Sequence, residues 1–265
     1  MGYEAYVTLG QLTFLIIFLI GLSLGSFLNS WVWRAHENIR ISRGRSICPS
    51  CRRRLTWYEN IPILSYVFLK GECRTCKHLI PKHFIFVELI TALIFLFVTW
   101  YEVNFAAFDY YVYLRNIMFV GILVVIFIYD YLYKEIIPGI VWFGVAVAVF
   151  FHFFTNHASV GSMFFGALIG GGFFLIQYLF SKGRWIGGGD VRMGIMIGVW
   201  LGWQATILAL IMAYVIGALF SVVLIIVKKK SMKSEIPFGT FLAVSTFLAL
   251  YHGQAIIQWY LNLLY

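Results

Sequence analysis

Long apolar runs are the feature that most constrains what this chain can fold into. Several of them approach or exceed the roughly 18 apolar residues that indicate a membrane-spanning helix. Only 12% of the 265 residues are charged, against about 25% in a typical soluble domain. The first run, from Leu9 to Trp33, has no basic segment before it and no small-residue cleavage site, so we interpret it as a retained helix. The sequence therefore predicts an all-α polytopic membrane protein.

We predict about eight transmembrane helices. Their approximate ranges are 9–33, 84–101, 115–132, 139–154, 160–180, 191–203, 205–227 and 237–261. A polar segment lies between the first two helices. We accordingly divide the chain into a first transmembrane helix (1–33), a small polar lobe (34–83) and a seven-helix membrane domain (84–265).

The basic residues indicate how the chain is oriented. Of the 20 Lys and Arg residues, 11 fall within the lobe, and most of the others lie in short connectors such as 228–233. If the N-terminus is outside, 19 of the 20 are cytoplasmic and only Arg115 is external. Because cytoplasmic loops accumulate Lys and Arg, we predict that both termini are outside and that the lobe is cytoplasmic. Topology thus explains the net charge of +9, which does not indicate nucleic-acid binding.

All four cysteines lie in the lobe, as the pairs Cys48 with Cys51 and Cys73 with Cys76. Two Cys-x-x-Cys pairs are typical of a tetrahedral four-thiolate zinc site. Two disulfides are the alternative, which a cytoplasmic location disfavours. A lobe of about 50 residues with few core residues needs such a cross-link to fold. We predict a structural Zn²⁺ site in a zinc-ribbon-like lobe.

Three glycines precede Asp190, and a helix is predicted to begin at Val191. Glycines let an extended peptide approach the backbone closely, and the N–H groups of a helix N-terminus favour a carboxylate. An ionisable residue in a membrane helix is commonly functional, because its burial in lipid costs about 2.5–3.5 kcal/mol. A glycine hinge with a capping aspartate is the alternative.

A second aspartate, Asp130, ends the apolar third helix. Under the predicted topology Asp130 and Asp190 lie at the same membrane face, whereas Asp109 is external. Two adjacent carboxyls repel each other, so one keeps its proton while the other is ionised. The ionised group can then take a proton from water while the other polarises a peptide carbonyl. Neither is fixed as acid or base, since such a pair titrates together. A carboxylate reaching to the interface is the alternative for Asp130.

Other residues are weaker candidates. Glu88, near the start of the second helix, suits a capping or inter-helix hydrogen bond at least as well as catalysis. His152 and His252 show no ligand spacing, and the sequence has neither a glycine-rich dinucleotide loop nor a Ser–His–Asp candidate.

Several motifs occur together in a characteristic order. They are GSFLN at 25–29, RSICPSC at 45–51, LTWYENIP at 55–62, GECRTC at 71–76, Asp130 before an Ile-Pro at 137–138, GGGDV at 187–191 and IPFG at 236–239. In this order they resemble the bacterial type IV prepilin peptidases, also called prepilin leader peptidase/N-methyltransferases, over nearly the whole chain. The sequence departs from the family pattern at Glu59 and Gly139, where Asp is usual, and in Gly239-Thr240-Phe241, where Gly-Pro-Phe is usual.

The resemblance implies a bifunctional enzyme of the bacterial plasma membrane. Such enzymes cut the basic leader from type IV prepilins and pseudopilins at the cytoplasmic face, and then methylate the new N-terminal amine with S-adenosylmethionine. The two family aspartates fall on Asp130 and Asp190, and the four-cysteine lobe is associated with methylation. The expected partners are a prepilin or pseudopilin and membrane lipids. The residues that bind S-adenosylmethionine, the particular substrates, whether they serve pili, secretion or DNA uptake, and the oligomeric state stay open.

Two alternatives stand beside this hypothesis. One is a peptidase that has lost methylation. The other is a non-enzymatic membrane scaffold or transporter with a zinc-containing docking lobe, in which both aspartates would tolerate replacement by asparagine.

Overall fold

A computed structural model describes residues 2–40, 44–106, 108–155, 158–227 and 236–264. Within these ranges every long element is an α-helix, as predicted. The helices are α1 (Gly2–His36), α2 (Leu64–Phe68), α3 (His83–Asn104), α4 (Tyr110–Tyr133), α5 (Pro138–Thr155), α6 (Val160–Ser181), α7 (Gly188–Ile226) and α8 (Phe238–Leu264), with a short 3₁₀ helix at Trp57–Asn60. The basic run at 228–233 lies outside the described residues.

Seven helices of the described chain are long and apolar enough to cross a membrane. One of them, α7, has 39 residues and would measure about 58 Å if straight, twice the thickness of a bilayer core. It is broken at Gly202, where φ is 73° and ψ is 174°. The positive φ is readily adopted only by glycine.

The two halves of α7 lie side by side. A Cβ atom at Gly170 of α6 would touch the carbonyl of Gly194 in the first half and lie 3.2 Å from Thr206 in the second. One α6 residue can touch both positions only if the chain reverses between them. The halves correspond to the predicted helices 191–203 and 205–227, so the prediction of about eight membrane-crossing segments is confirmed, with α7 supplying two.

The chain forms two compact units, Met1–Tyr113 and Leu114–Tyr265. In the first unit, α1 packs closely on α3, because a Cβ atom at Gly21 would lie 2.6 Å from the Cα of Ala92. In addition, the side-chain amide of Asn29 donates to the carbonyl of Phe84 at 2.9 Å. The predicted division at 33/34 and 83/84 stays a prediction, while the contacts group α3 with α1.

The core of the second unit joins α4, α5 and α7. Phe119 of α4 stacks on Trp200 of α7, with ring centroids 4.1 Å apart and planes inclined by 6°. The indole N–H of Trp200 donates to the carbonyl of Gly144 in α5 at 2.9 Å. These contacts fix the register of the three helices, and this register determines the depth of the two aspartates.

Candidate active site and metal centre

Asp130 lies in the last turn of α4, and its side chain is buried. The backbone N–H of Thr240, in the first turn of α8, donates to its Oδ2 at 2.7 Å. The first N–H groups of a helix have no partner within the helix and carry a partial positive charge. The N-terminus of α8 therefore binds and orients the carboxyl of Asp130.

Two residues of the α8 N-terminus matter for this contact. A Cβ atom at Gly239 would lie 2.9 Å from Oδ2 of Asp130, so only glycine leaves room for the carboxyl. At the next position, Thr240 has an N–H to donate, and the proline that is usual in the family pattern has none. In the sequence both positions belong to the IPFGT segment at 236–240, which by itself indicates no role for them.

Asp190 lies in the first turn of α7, as expected. Its Oδ2 accepts a hydrogen bond from the N–H of Gly187 at 3.2 Å, which is also the bond that a capping aspartate makes. A Cβ atom at Gly188 would meet nothing within 4 Å, whereas one at Gly189 would lie 2.9 Å from Cβ of Ile136. The start of α7 therefore leaves open space at Gly188, and it needs a glycine at position 189 because Ile136 packs there.

The two aspartates lie at the same depth of the second unit. Phe119 of α4 stacks on Trp200 of α7. Phe119 precedes Asp130 by eleven residues, and Trp200 follows Asp190 by ten residues. At 1.5 Å per residue, each carboxyl lies about 15 Å from this contact, towards the same end of the helices. The two side chains are close enough to interact electrostatically. Ile136 contacts both neighbourhoods, because it packs on Gly189 and on Gly239.

The structure thus brings together Asp130 and Asp190, which are 60 positions apart in the sequence. Paired carboxyls in an apolar setting can hold one proton between them and activate a water molecule. Glu88 belongs to the first unit, where its Oε2 accepts the N–H of Ile63 at 2.7 Å. It therefore serves the hydrogen-bonding role that was the alternative to catalysis.

The four cysteines form one cluster. All are free thiols, and their sulfur atoms lie within 4.8 Å of one another. The Sγ atoms of Cys48 and Cys76, which belong to different pairs, are 3.8 Å apart. This equals the separation of about 3.8 Å between sulfurs of a tetrahedral site with metal–sulfur bonds of about 2.3 Å. The cluster therefore fits a metal ion held by four sulfurs, and disulfides are not formed.

The two cysteine pairs have the same backbone geometry. The residue after each pair, Arg52 or Lys77, has a φ of 56°. The N–H of the first cysteine in each pair, Cys48 or Cys73, donates to the carbonyl five residues later at 2.9 Å. Burial raises the pKa of the Cys48 thiol to about 11. Backbone N–H groups, chiefly that of Cys76, and neighbouring thiols lower the pKa of Cys73 to about 6, so Cys73 readily supplies a thiolate to a metal.

An ion pair between the partly exposed Arg53 and the buried Glu59 lies beside this cluster. Arg53 donates to both oxygens of Glu59, at 2.9 Å and 2.7 Å, and it lies 3.9 Å from the sulfur of Cys73. The N–H and hydroxyl of Thr56 also donate to Glu59, both at 2.8 Å. These bonds, with that from Arg53 the largest cause, hold the pKa of Glu59 at about 2. In the sequence Glu59 is recognisable only as a departure from the family pattern, and its bond to Arg53 is visible only in the structure.

Two family models match the chain. The Bacterial Peptidase A24 N-terminal domain matches residues 19–102, and the Type IV leader peptidase family matches residues 117–222. Among relatives, the prepilin leader peptidase/N-methyltransferase of Aeromonas salmonicida (strain A449) is 29% identical over 95% of this chain and 94% of its own length. The protein of the same name from Bacillus subtilis (strain 168) is 29% identical over 94% of this chain and 98% of its own length. No solved structure matches the chain significantly.

Fold and site define a polytopic helical membrane protein with paired carboxyls in one unit and a four-thiol cluster in the other. With both family models matched in order along it, the chain belongs to the type IV leader peptidase family. The resemblance drawn from the sequence motifs is confirmed.

Proposed function

We propose that this chain is a membrane-embedded aspartic peptidase that removes the leader from type IV prepilins or pseudopilins and then methylates the new N-terminal amine. The family and the names of the relatives support this activity. The observation that carries the assignment to residues is the shared depth of Asp130 and Asp190, which is supported by the stack of Phe119 on Trp200 and by the packing of Ile136 on both Gly189 and Gly239. A non-enzymatic scaffold gives no reason for this convergence.

In the proposed reaction the two carboxyls share one proton. The ionised carboxylate takes a proton from water, and the resulting hydroxide attacks the scissile carbonyl carbon. The protonated carboxyl donates its proton to the carbonyl oxygen as the tetrahedral intermediate forms. Proton transfer to the leaving amine then completes cleavage. The N–H of Thr240 holds the carboxyl of Asp130 in position through its hydrogen bond to Oδ2.

The substrate suits a site at the end of membrane helices. An extended peptide can reach Asp190 over Gly188, where a side chain would meet nothing within 4 Å. A pilin precursor combines a polar leader with a long apolar helix, so a protease for it must work where lipid meets water. We propose that this end of the second unit faces the cytoplasm of a bacterial plasma membrane, as the distribution of basic residues indicates.

Two cofactors belong to the proposal. Zn²⁺ would be bound by Cys48, Cys51, Cys73 and Cys76, and it would stabilise the lobe without an open coordination position. One zinc per chain is expected by elemental analysis of the purified protein, and intact protein without zinc would remove this assignment. S-adenosylmethionine would supply the methyl group, as the methyltransferase names of the relatives suggest. No residue is assigned to its binding.

Co-incubation with a candidate prepilin, with and without S-adenosylmethionine, tests the function. Mass spectrometry is expected to show leader removal in both samples and a further mass gain of one methyl group in the first. Cleavage without any methyl gain would identify a peptidase alone. Absence of cleavage for every prepilin from the source cell would leave only the scaffold alternative.

A further inference from the structure

Helix α2 of the lobe exposes three large apolar side chains. Leu64, Val67 and Phe68 are 53%, 62% and 80% exposed, and their spacing places them on one side of the helix. We refer to these three residues as the α2 face. Contiguous apolar surface on a polar lobe indicates a site of interaction.

The position of α2 is fixed against the membrane helices. Its N-cap residue, Ile63, donates its N–H to Oε2 of Glu88 at 2.7 Å. Glu88 is buried in the second turn of α3, and it packs on α1, because a Cβ atom at Gly25 would lie 2.6 Å from the Cα of Glu88. Helix α2 therefore begins beside the first turns of α3, a helix that is long and apolar enough to span a membrane.

The backbone at this junction is constrained. Ile63 has a φ of 59° and a ψ of −51°, which a β-branched residue rarely adopts. Such a conformation persists only where the surroundings hold it in place, and the bond to Glu88 provides that hold. The conformation of Ile63 and its bond to Glu88 thus fix the orientation of α2, and they fix the direction of the α2 face as well.

Charges around α2 match a lipid surface. Lys70 lies two residues after the end of α2, Arg74 lines a groove with Leu64 and Phe68, and Lys82 precedes α3; all three are exposed. On the first turn of α3 the apolar side chain of Phe86 is also 61% exposed. Apolar side chains flanked by Lys and Arg are typical of helices that lie in the interface of an anionic membrane.

We propose that the α2 face inserts into the headgroup–acyl boundary of the bilayer on the side of the lobe, with Lys70, Arg74 and Lys82 at anionic headgroups. The lobe is then held against the membrane surface by α2 as well as by the ends of α1 and α3. This inference requires only that α1 and α3 span the membrane, and it is independent of the peptidase activity.

Photo-crosslinking of the full-length chain tests the proposal. Phe68 or, in a second variant, Val67 is replaced by benzoylphenylalanine, and the protein is placed in nanodiscs of phosphatidylethanolamine and phosphatidylglycerol. The control carries the same group at Ser50, an exposed residue between the first two cysteines. Illumination without any prepilin is expected to give several-fold more lipid adduct at 67 and 68 than at 50, measured by intact mass spectrometry. Equal yields at all three positions, or adducts that form only with an added prepilin, would overturn the proposal.

Discussion

At the residue scale, the position of the Asp130 carboxyl depends on Gly239, because there is no room for a side chain at that position. In Gly239→Ala the new Cβ atom would lie 2.9 Å from Oδ2 of Asp130 and 3.1 Å from Ile136. Because the helix start cannot retreat without breaking the bond from Thr240, the carboxyl must move. We expect prepilin cleavage to fall on the order of 10- to 100-fold, since displacements of about 1 Å have effects of that size.

The control for this variant is Gly139→Ala in α5, where a Cβ atom would meet nothing within 4 Å. It is expected to cleave at the parent rate in the same membrane assay. Equal activity of the two variants would show that the contact between Gly239 and Asp130 does not matter for the reaction.

Glu59 makes the stability of the lobe depend on pH in a defined direction. Its pKa of about 2 in the folded state is lower than the value of about 4.3 in an unfolded chain. The stabilisation is therefore complete above about pH 4.5 and is lost as the pH falls towards 2. At pH 7, Glu59→Gln is expected to lower the free energy of unfolding by about 1–3 kcal/mol, because it removes the charged acceptor of the hydrogen bonds from Arg53 and Thr56.

Hydrogen exchange of the lobe amides in the full-length protein measures this effect. The difference in the free energy of unfolding between parent and variant is expected to be constant from pH 8 to 5 and to shrink at lower pH. A difference that disappears between pH 8 and 6 would assign the stabilisation to another group.

At the scale of elements, α6 and α7 approach closely because glycines face each other. A Cβ atom at Gly170 would touch the carbonyl of Gly194, whereas one at Gly172, two residues later on α6, would meet nothing within 4 Å. We expect Gly170→Ala to lower the free energy of unfolding by about 1–3 kcal/mol through overpacking. The matched variant Gly172→Ala is expected to be neutral or stabilising by up to about 1 kcal/mol. The free energy of unfolding of both variants is measured in the same detergent. Equal changes in the two variants would contradict the close packing of α6 on α7.

Local sequence patterns were enough to predict most elements and part of the site. Apolar runs indicated the helices, and the Cys-x-x-Cys spacing indicated the cluster of thiols, because these features depend on neighbouring residues. The same patterns did not reveal the bond from Thr240 to Asp130, which joins residues 110 positions apart. Nor did they distinguish the packed Gly170 from the open Gly172, since that difference exists only once α6 has packed against α7.

At the scale of the whole molecule, we expect each half of α7 to cross the membrane, which gives eight spans, an even number. Both termini are therefore expected on one side of the membrane and the lobe on the other, with the lobe cytoplasmic by its charge. Two fusion proteins test this topology with a reporter enzyme that is active only outside the cytoplasm. One carries the reporter at the C-terminus, and the other carries it within the lobe. Activity is expected for the C-terminal fusion alone, and the opposite pattern would invert the topology.

The central claim is that Asp130 and Asp190, held at one depth by the packing of α4, α7 and α8, act as one catalytic unit. The most direct measurement is the rate of prepilin cleavage by Asp130→Asn, Asp190→Asn and the double variant, with Asp109→Asn as the control at the exposed start of α4. Each single variant is expected to lose as much activity as the double variant, because residues that act as a unit are not additive, while the control keeps the parent rate. Substantial cleavage by either single variant, or losses that multiply in the double variant, would contradict the claim.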